Sequence, residues 1–191
     1  LSGLGRLDPV RLAGPVLDAL CEEIHETVAL AVWGTHGATI VRIVDAGNPV
    51  TITLRPGSVL PLLNSATGQA FAAFGRGPFL KKLVDSELQA QASASKIAVT
   101  TCRRQLEKNL TEFRTRGLSR ATGSLTPGIN GFSVPVYDFN GQMVASITAL
   151  GTVGDFDAEW DSPTAHAMLT AARSLSERLG FGGIPADNGE T

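Results

Sequence analysis

An Asn-Gly pair set between two apolar runs is the feature that most narrows what this chain can fold into. Asn140-Gly141 separates "INGFSVPVYDF" from "QMVASITALG", and because both residues tolerate positive φ, the two runs read as an antiparallel hairpin. In the second run Met143, Ala145, Ile147 and Ala149 are expected to face one way and Val144, Ser146, Thr148 and Leu150 the other. Pro135 cannot donate to a ladder, so it marks an edge or a bulge in the first run. Upstream, "LSRAT" reads as a short strand, and Gly117 as the stop of a helix before it.

The rest of the chain can be read around that hairpin. Leu12, Val16, Leu20 and Ile24 recur every four residues, one face of a helix, with Gly14-Pro15 predicting a kink or restart. Thr27 to Trp33 and Ala38 to Ala46 are β-branched runs joined by a Gly34–Gly37 turn, a second hairpin. A third strand is expected at about Val50 to Leu54. In "LRPGSVLPLLNSATGQAFAAF", Pro56 and Gly57 break that strand, Asn64 or Ser65 is a natural N-cap, and Ala70, Phe71 and Phe74 point into the core. A short helix is expected over Pro78 to Val84, then an exposed, mobile connection over Gln89 to Ser95. Thr100 or Thr101 is expected to cap a helix striped by Leu106, Leu110 and Phe113, with Glu112 four residues before Arg116. Ser162-Pro163 opens a last helix that buries Met168, Ala172, Leu175 and Leu179 and stops at Gly180. Hairpin-joined strands covered by helices at both ends and in the middle give an α+β fold with an antiparallel sheet flanked by helices.

Composition bears on function mainly by exclusion. With 191 residues, 43% hydrophobic and 18% charged, the chain can bury a sizeable core. Lys+Arg number 16 against 18 Asp+Glu, so the basic excess typical of a domain that binds nucleic acid by itself is missing. No apolar run approaches the ~18 residues that cross a bilayer. Cys21 and Cys102 lack CxxC spacing and read as thiols of a reducing cytosol. The sequence holds no nucleophile elbow, no H-E-x-x-H, no phosphate loop; His25, His36 and His166 are scattered. Catalytic residues, metal ligands and a cofactor are therefore not expected. The Leu1 start suggests a fragment or a processed chain.

One place invites a ligand. The helix opening at Asn64 to Gly68 offers free amides and a positive dipole end to a carboxylate or other small anion. The small residues Ser65, Ala66 and Thr67 let a ligand approach the backbone, Ser146 and Thr148 offer hydroxyls, and Leu60, Leu62, Ile129 and Leu150 offer apolar walls. The same small residues equally suit plain helix–sheet packing.

Two stretches resemble a known family. Arg55, Gly57, Leu60, Pro61, Ser65, Ala66, Gly68 and Ala70 are similar to the R-x-G-x-x-L-P-x-x-x-[ST]-A-x-G-[KR]-A stretch of IclR-type transcriptional regulators. "FRTRGLS" followed by "PGINGFSVPVYDFNGQMVASITALG" resembles the family's second hallmark, and Leu12 to Thr27 its entry helix. The resemblance implies a GAF-like effector-binding domain over residues 11–180, preceded at 1–10 by the end of a linker helix from a missing DNA-binding domain and followed at 181–191 by a flexible tail. It adds Gly131 to the effector-site residues, beside Ile129. It further implies a cytoplasmic homodimer or tetramer, not an enzyme, that senses a small organic effector, a carboxylate or an aromatic compound. Operator DNA is reached only through the missing winged helix-turn-helix, and no membrane is involved. The alternatives are a small-molecule hydrolase or a stand-alone sensory domain on a related scaffold. Leu63, Gln69 and the run Ala121 to Ser124 depart from the family's His, its Lys or Arg, and its acidic residues. A site without those carboxylates is less hostile to an anionic ligand.

Overall fold

Local chemistry sets several of the helix ends. The computed structural model describes residues 8–48 and 54–185. Asp8 caps the first helix, its carboxylate accepting the Val10 N–H at 2.9 Å, and Pro9 takes the first helical position. This helix, α1 (Pro9–Ile24), runs unbroken through Pro15 rather than restarting there. Pro15 and Arg11 are both exposed, so the carbonyl that proline cannot bond faces solvent. Its buried side is Ala13, Val16, Leu17, Leu20 and Cys21, while Leu12 and Ile24 pack only at the margin.

Strands β1 (Thr27–Gly34) and β2 (Gly37–Val44) form the first hairpin. The third strand falls later than its sequence suggests. Residues 50–53 lie outside the described residues, Leu54 is not in a strand, and the pairing with β2 is made by β3 (Val59–Leu60). Ser65 caps α2 (Ala66–Phe74), in which Ala70 and Phe71 are buried and Phe74 is half-buried.

The larger departure is α3 (Pro78–Ser95). The segment Gln89 to Ser95 continues this helix and is no loose connection. Alanine and glutamine are good helix formers, and Leu88 and Ala92, four apart, bury one face. After Lys96, in the left-handed region, α4 (Val99–Arg116) begins at Ala98 with no side-chain cap, and Thr100 and Thr101 lie inside it. Gly117, at φ 81°, ends it as expected. Arg116 does not pair with Glu112; its guanidinium lies over the Trp160 ring, 5.4 Å from the centroid.

Strands β4 (Ser119–Thr122), β5 (Ile129–Tyr137) and β6 (Met143–Thr152) complete a six-stranded antiparallel sheet in the order β3-β2-β1-β6-β5-β4. The Asn140-Gly141 hairpin forms, but only Gly141 takes positive φ. The Asp138 carboxylate holds the turn by accepting the Asn140 and Gln142 N–H groups. Strand β4 reaches only as far as Ser133, so Pro135 has a partner strand on one side, and the register shifts just beyond it at Val136/Tyr137. That bulge reverses the expected alternation at the start of β6. Met143 packs with the cluster around Phe71 and Val144 with the opposite one, whereas Ala145, Ile147 and Ala149 keep their predicted side.

Helix α5 (Pro163–Arg178) is capped by Ser162 and packs beside α1 on one sheet face, over a core centred on Phe132, Leu17 and Leu175. Helix α2 covers the other face, and α3 and α4 pack outside it. This is the helix-flanked antiparallel α+β arrangement read from the sequence. Phe181, read as the first residue of a frayed tail, instead stacks on Tyr137 with ring centroids 5.1 Å apart; residues 186–191 lie outside the described residues.

One buried carboxylate gives the fold a pH dependence. Glu26, 6% exposed, lies against Gly151, where a Cβ would collide with its carboxylate. Burial first, and the Asp155 charge second, push its pKa above the ordinary carboxylate value. The folded chain then holds a proton that the unfolded chain has released, so stability falls as pH rises from the ordinary glutamate value through the raised one. Glu26→Gln is expected to flatten that slope and to be more stable than the parent near neutral pH. Urea denaturation between about pH 4 and pH 8 checks this; a neutral-pH loss of stability would mean that the carboxylate is held by favourable contacts.

Candidate functional site

A cavity of about 530 Å³ opens beside the first turn of α2. The segment that leads into this helix is folded tightly by its own polar groups. The Ser65 hydroxyl accepts the Gly68 N–H at 2.9 Å and donates to the Pro61 carbonyl at 2.7 Å. Glu87, from α3, reaches the same turn: its carboxylate accepts the Leu62 N–H at 2.9 and 3.0 Å and the Leu63 N–H at 3.0 Å. Gly68 lies so close to Pro61 and Leu62 that no side chain fits between helix and turn. An internal carboxylate therefore already occupies two amides of this region. The Ala66 and Thr67 amides, by contrast, have no acceptor among the described residues.

Below α2, the Thr67 and Thr148 hydroxyls meet at 2.7 Å, and Thr148 donates to Ser133 at 2.9 Å. Thr148 has one proton, so Thr67 is the donor in the first of these bonds. Ser119 donates to the Ala66 carbonyl at 2.6 Å and ties β4 to the start of the helix. This chain of buried hydroxyls fixes α2 on the sheet.

Eight of the ten sequence-chosen residues line this one cavity: Leu60, Ser65, Ala66 and Thr67 from the α2 side, and Ile129, Gly131, Thr148 and Leu150 from β5 and β6. Two do not. Leu62 is fully buried in the cluster with Ile40 and Phe71, because the Glu87 clamp fixes the turn with that side chain inward. Ser146 lies fully buried, opposite Ala31 and Pro135, and its hydroxyl has no partner among the described residues.

Sequence reasoning missed the near wall and the clamp. Ser58 and Val59 precede α2, and Leu125, Thr126 and Pro127 come from the β4–β5 connection. The signal for the latter was the short spacing between two strands on either side of the helix opening. Glu87 was hidden because α3 was expected to stop at Val84. Gln69 bonds the Leu63 carbonyl at 2.9 Å, so two of the residues that depart from the family pattern hold each other.

Among the described residues no charged side chain lines the cavity. Its polar groups are hydroxyls, backbone and the open amides at the start of α2, and its walls are aliphatic. Such a surface can hold and orient a small, largely apolar guest bearing one anionic or hydrogen-bonding group. Among the described residues no three His, Cys, Asp or Glu side chains gather as metal ligands, and no helix is long and apolar enough to cross a membrane.

Comparison with known proteins agrees with this architecture. The family described as "Bacterial transcriptional regulator IclR C-terminal" matches residues 2–177. The crystal structure of Pseudomonas aeruginosa HmgR is 36% identical and superposes with a TM-score of 0.83, over 96% of this chain and 71% of that one. Thermotoga maritima IclR, 23% identical, shares the fold with a TM-score of 0.76 over 92% of this chain and 70% of that one. The HTH-type transcriptional regulator BhcR of Paracoccus denitrificans is 28% identical over 183 residues, 95% of this chain and 63% of that protein. The chain thus spans about two thirds of the length of these relatives. On this match, and on the helix-flanked antiparallel sheet that carries it, the chain belongs to the IclR family of bacterial transcriptional regulators, as their C-terminal, GAF-like α+β domain.

Proposed function

We propose that this domain binds a small organic effector in the cavity beside α2 and holds it without transforming it. The observation that carries this reading is the cavity wall itself. Among the described residues it is uncharged and largely aliphatic, has hydroxyls as its polar side chains, and ends at two amides of a helix N-terminus. That surface suits a compound with an apolar or aromatic body and a single carboxylate. The effector contacts are Leu60, Ser65, Ala66, Thr67, Ile129, Gly131, Thr148 and Leu150.

The relatives include HTH-type regulators, so operator DNA belongs to a part of the regulator outside this chain, joined through a linker that ends near residue 10. The domain works in the cytoplasm as a homodimer or tetramer. An effector that favours one arrangement of the Glu87-clamped turn over another shifts the population of domain arrangements, and with it the spacing of the DNA-binding parts.

A thermal-shift screen of small aliphatic and aromatic carboxylic acids tests the reading. A true effector at ten times its Kd should stabilise the domain by about 1.4 kcal/mol, a rise of roughly 3–6 °C in Tm for a chain of this size. Ile129→Trp, which fills the cavity from its wall, should abolish the rise. A broad screen without a response, or responses that survive Ile129→Trp, would overturn the assignment.

A further inference from the structure

A second cavity, of about 540 Å³, lies between the last turn of α4, the middle of α5 and the end of β5. It shares no lining residue with the effector cavity, and its chemistry is the opposite. Arg114, Arg116 and Arg173 line it, and among the described residues no aspartate or glutamate does.

Two of the three guanidiniums are held in place while keeping donors free. Arg114 uses its Nε–H on the Ala73 carbonyl, at 2.8 Å, which leaves its terminal nitrogens. Arg116 is held by its face over Trp160, which leaves its edge donors. Arg173 makes no hydrogen bond, ion pair or ring contact among the described residues.

The plainest structural explanation covers only part of this. Arg114 and Arg116 stand in the last turn of α4, where cations suit the negative end of the helix dipole. Arg173, however, lies outside the last turn of α5 (Pro163–Arg178), whose basic residue is Arg178, so the helix dipole does not account for it. Three like charges around one concavity repel one another, and no carboxylate among the described lining residues offsets them. The planar forks of arginine suit oxyanions with several oxygens.

We infer that this cavity is a second ligand site, separate from the effector cavity, which takes a small multiply charged oxyanion through Arg114, Arg116 and Arg173. The shared chemistry covers a phosphate group and a polycarboxylate, and two arms of one experiment separate them. The site does not depend on the effector reading.

The test is thermal denaturation of the whole chain titrated with inorganic phosphate and, separately, with citrate, at ionic strength held constant with sodium chloride. A saturable rise in Tm is expected in at least one arm, and the arm that responds identifies the class. Arg173 is exposed and makes no contact that folding needs, so Arg173→Ala should leave the free protein as stable as the parent. It should weaken the titration midpoint about tenfold or more, with Arg173→Lys intermediate. Ile129→Trp, in the other cavity, should leave the midpoint unchanged. The inference is overturned if both arms follow ionic strength alone, if Arg173→Ala and Arg114→Ala both leave the midpoint where it was, or if Ile129→Trp moves it.

Discussion

Gly68→Ala is expected to destabilise the domain by about 3–4 kcal/mol, beyond the usual range for one added methyl group. A Cβ at this position would overlap the Pro61 carbonyl oxygen and come within 2.5 Å of the Leu62 Cα. Both neighbours are backbone, so no side chain can rotate away. The turn cannot retreat as a unit either. Ser65 ties the Pro61 carbonyl from one side, and Glu87 holds the Leu62 and Leu63 amides from the other. Helix α2 would have to lift from the sheet instead, against the Thr67–Thr148 bond and the Ser119 bond to its first carbonyl. Gly154→Ala is the control, since a Cβ there meets nothing within 4 Å, and it should stay within about 0.5 kcal/mol of the parent. Urea denaturation of both variants measures the difference. A Gly68→Ala protein as stable as the Gly154→Ala control would show that helix and turn are loosely coupled, and would weaken every statement about a rigid cavity wall.

The glycine at position 68 also shows what kind of information a sequence exposes. Elements whose cause is local could be read directly. Ser65, Ser162-Pro163, Gly117 and the β5–β6 hairpin each carry their own signal within a few residues, and each element formed where expected. The failures have non-local causes. "QAQASAS" looks like a loop by polarity, yet Ala92 within it is buried one turn after Leu88, which joins the cluster under α4, and helix propensity suffices for the rest. The exchange of sides at Met143 and Val144 follows from the pairing with β5, in which Val136 faces Ala145 and Tyr137 faces Met143, so that Val144 is the extra residue of a bulge. The same holds for the cavity. Positions on α2, β5 and β6 were legible because strand alternation and the helix opening both pointed to one place. Leu62 was misassigned because its direction is set by a carboxylate 25 residues later in the chain.

That carboxylate is expected to matter nearly as much as Gly68. Glu87→Ala should cost about 2–3 kcal/mol, because two backbone N–H groups lose a charged acceptor at a part-buried position. Glu87→Gln keeps the shape but leaves one neutral oxygen where two charged ones served, so it should fall between parent and alanine. Hydrogen exchange separates this from a general loosening of α3. The Leu62 and Leu63 amides should lose protection in Glu87→Gln, while Leu88 and Ala92, on the same helix and buried against other residues, keep theirs. The same contact bears on function. It is the hydrogen-bonded link, among the described residues, from the turn under the cavity to α3, so under the proposed function a change at Leu60 or Ser65 can reach the α3–α4 pair through it. In Glu87→Gln an effector should still bind but with a smaller change in exchange at Leu88, the mark of a severed connection rather than a lost site. Unchanged stability in Glu87→Ala, together with intact protection at Leu62, would mean that the turn holds itself and that α3 is a bystander.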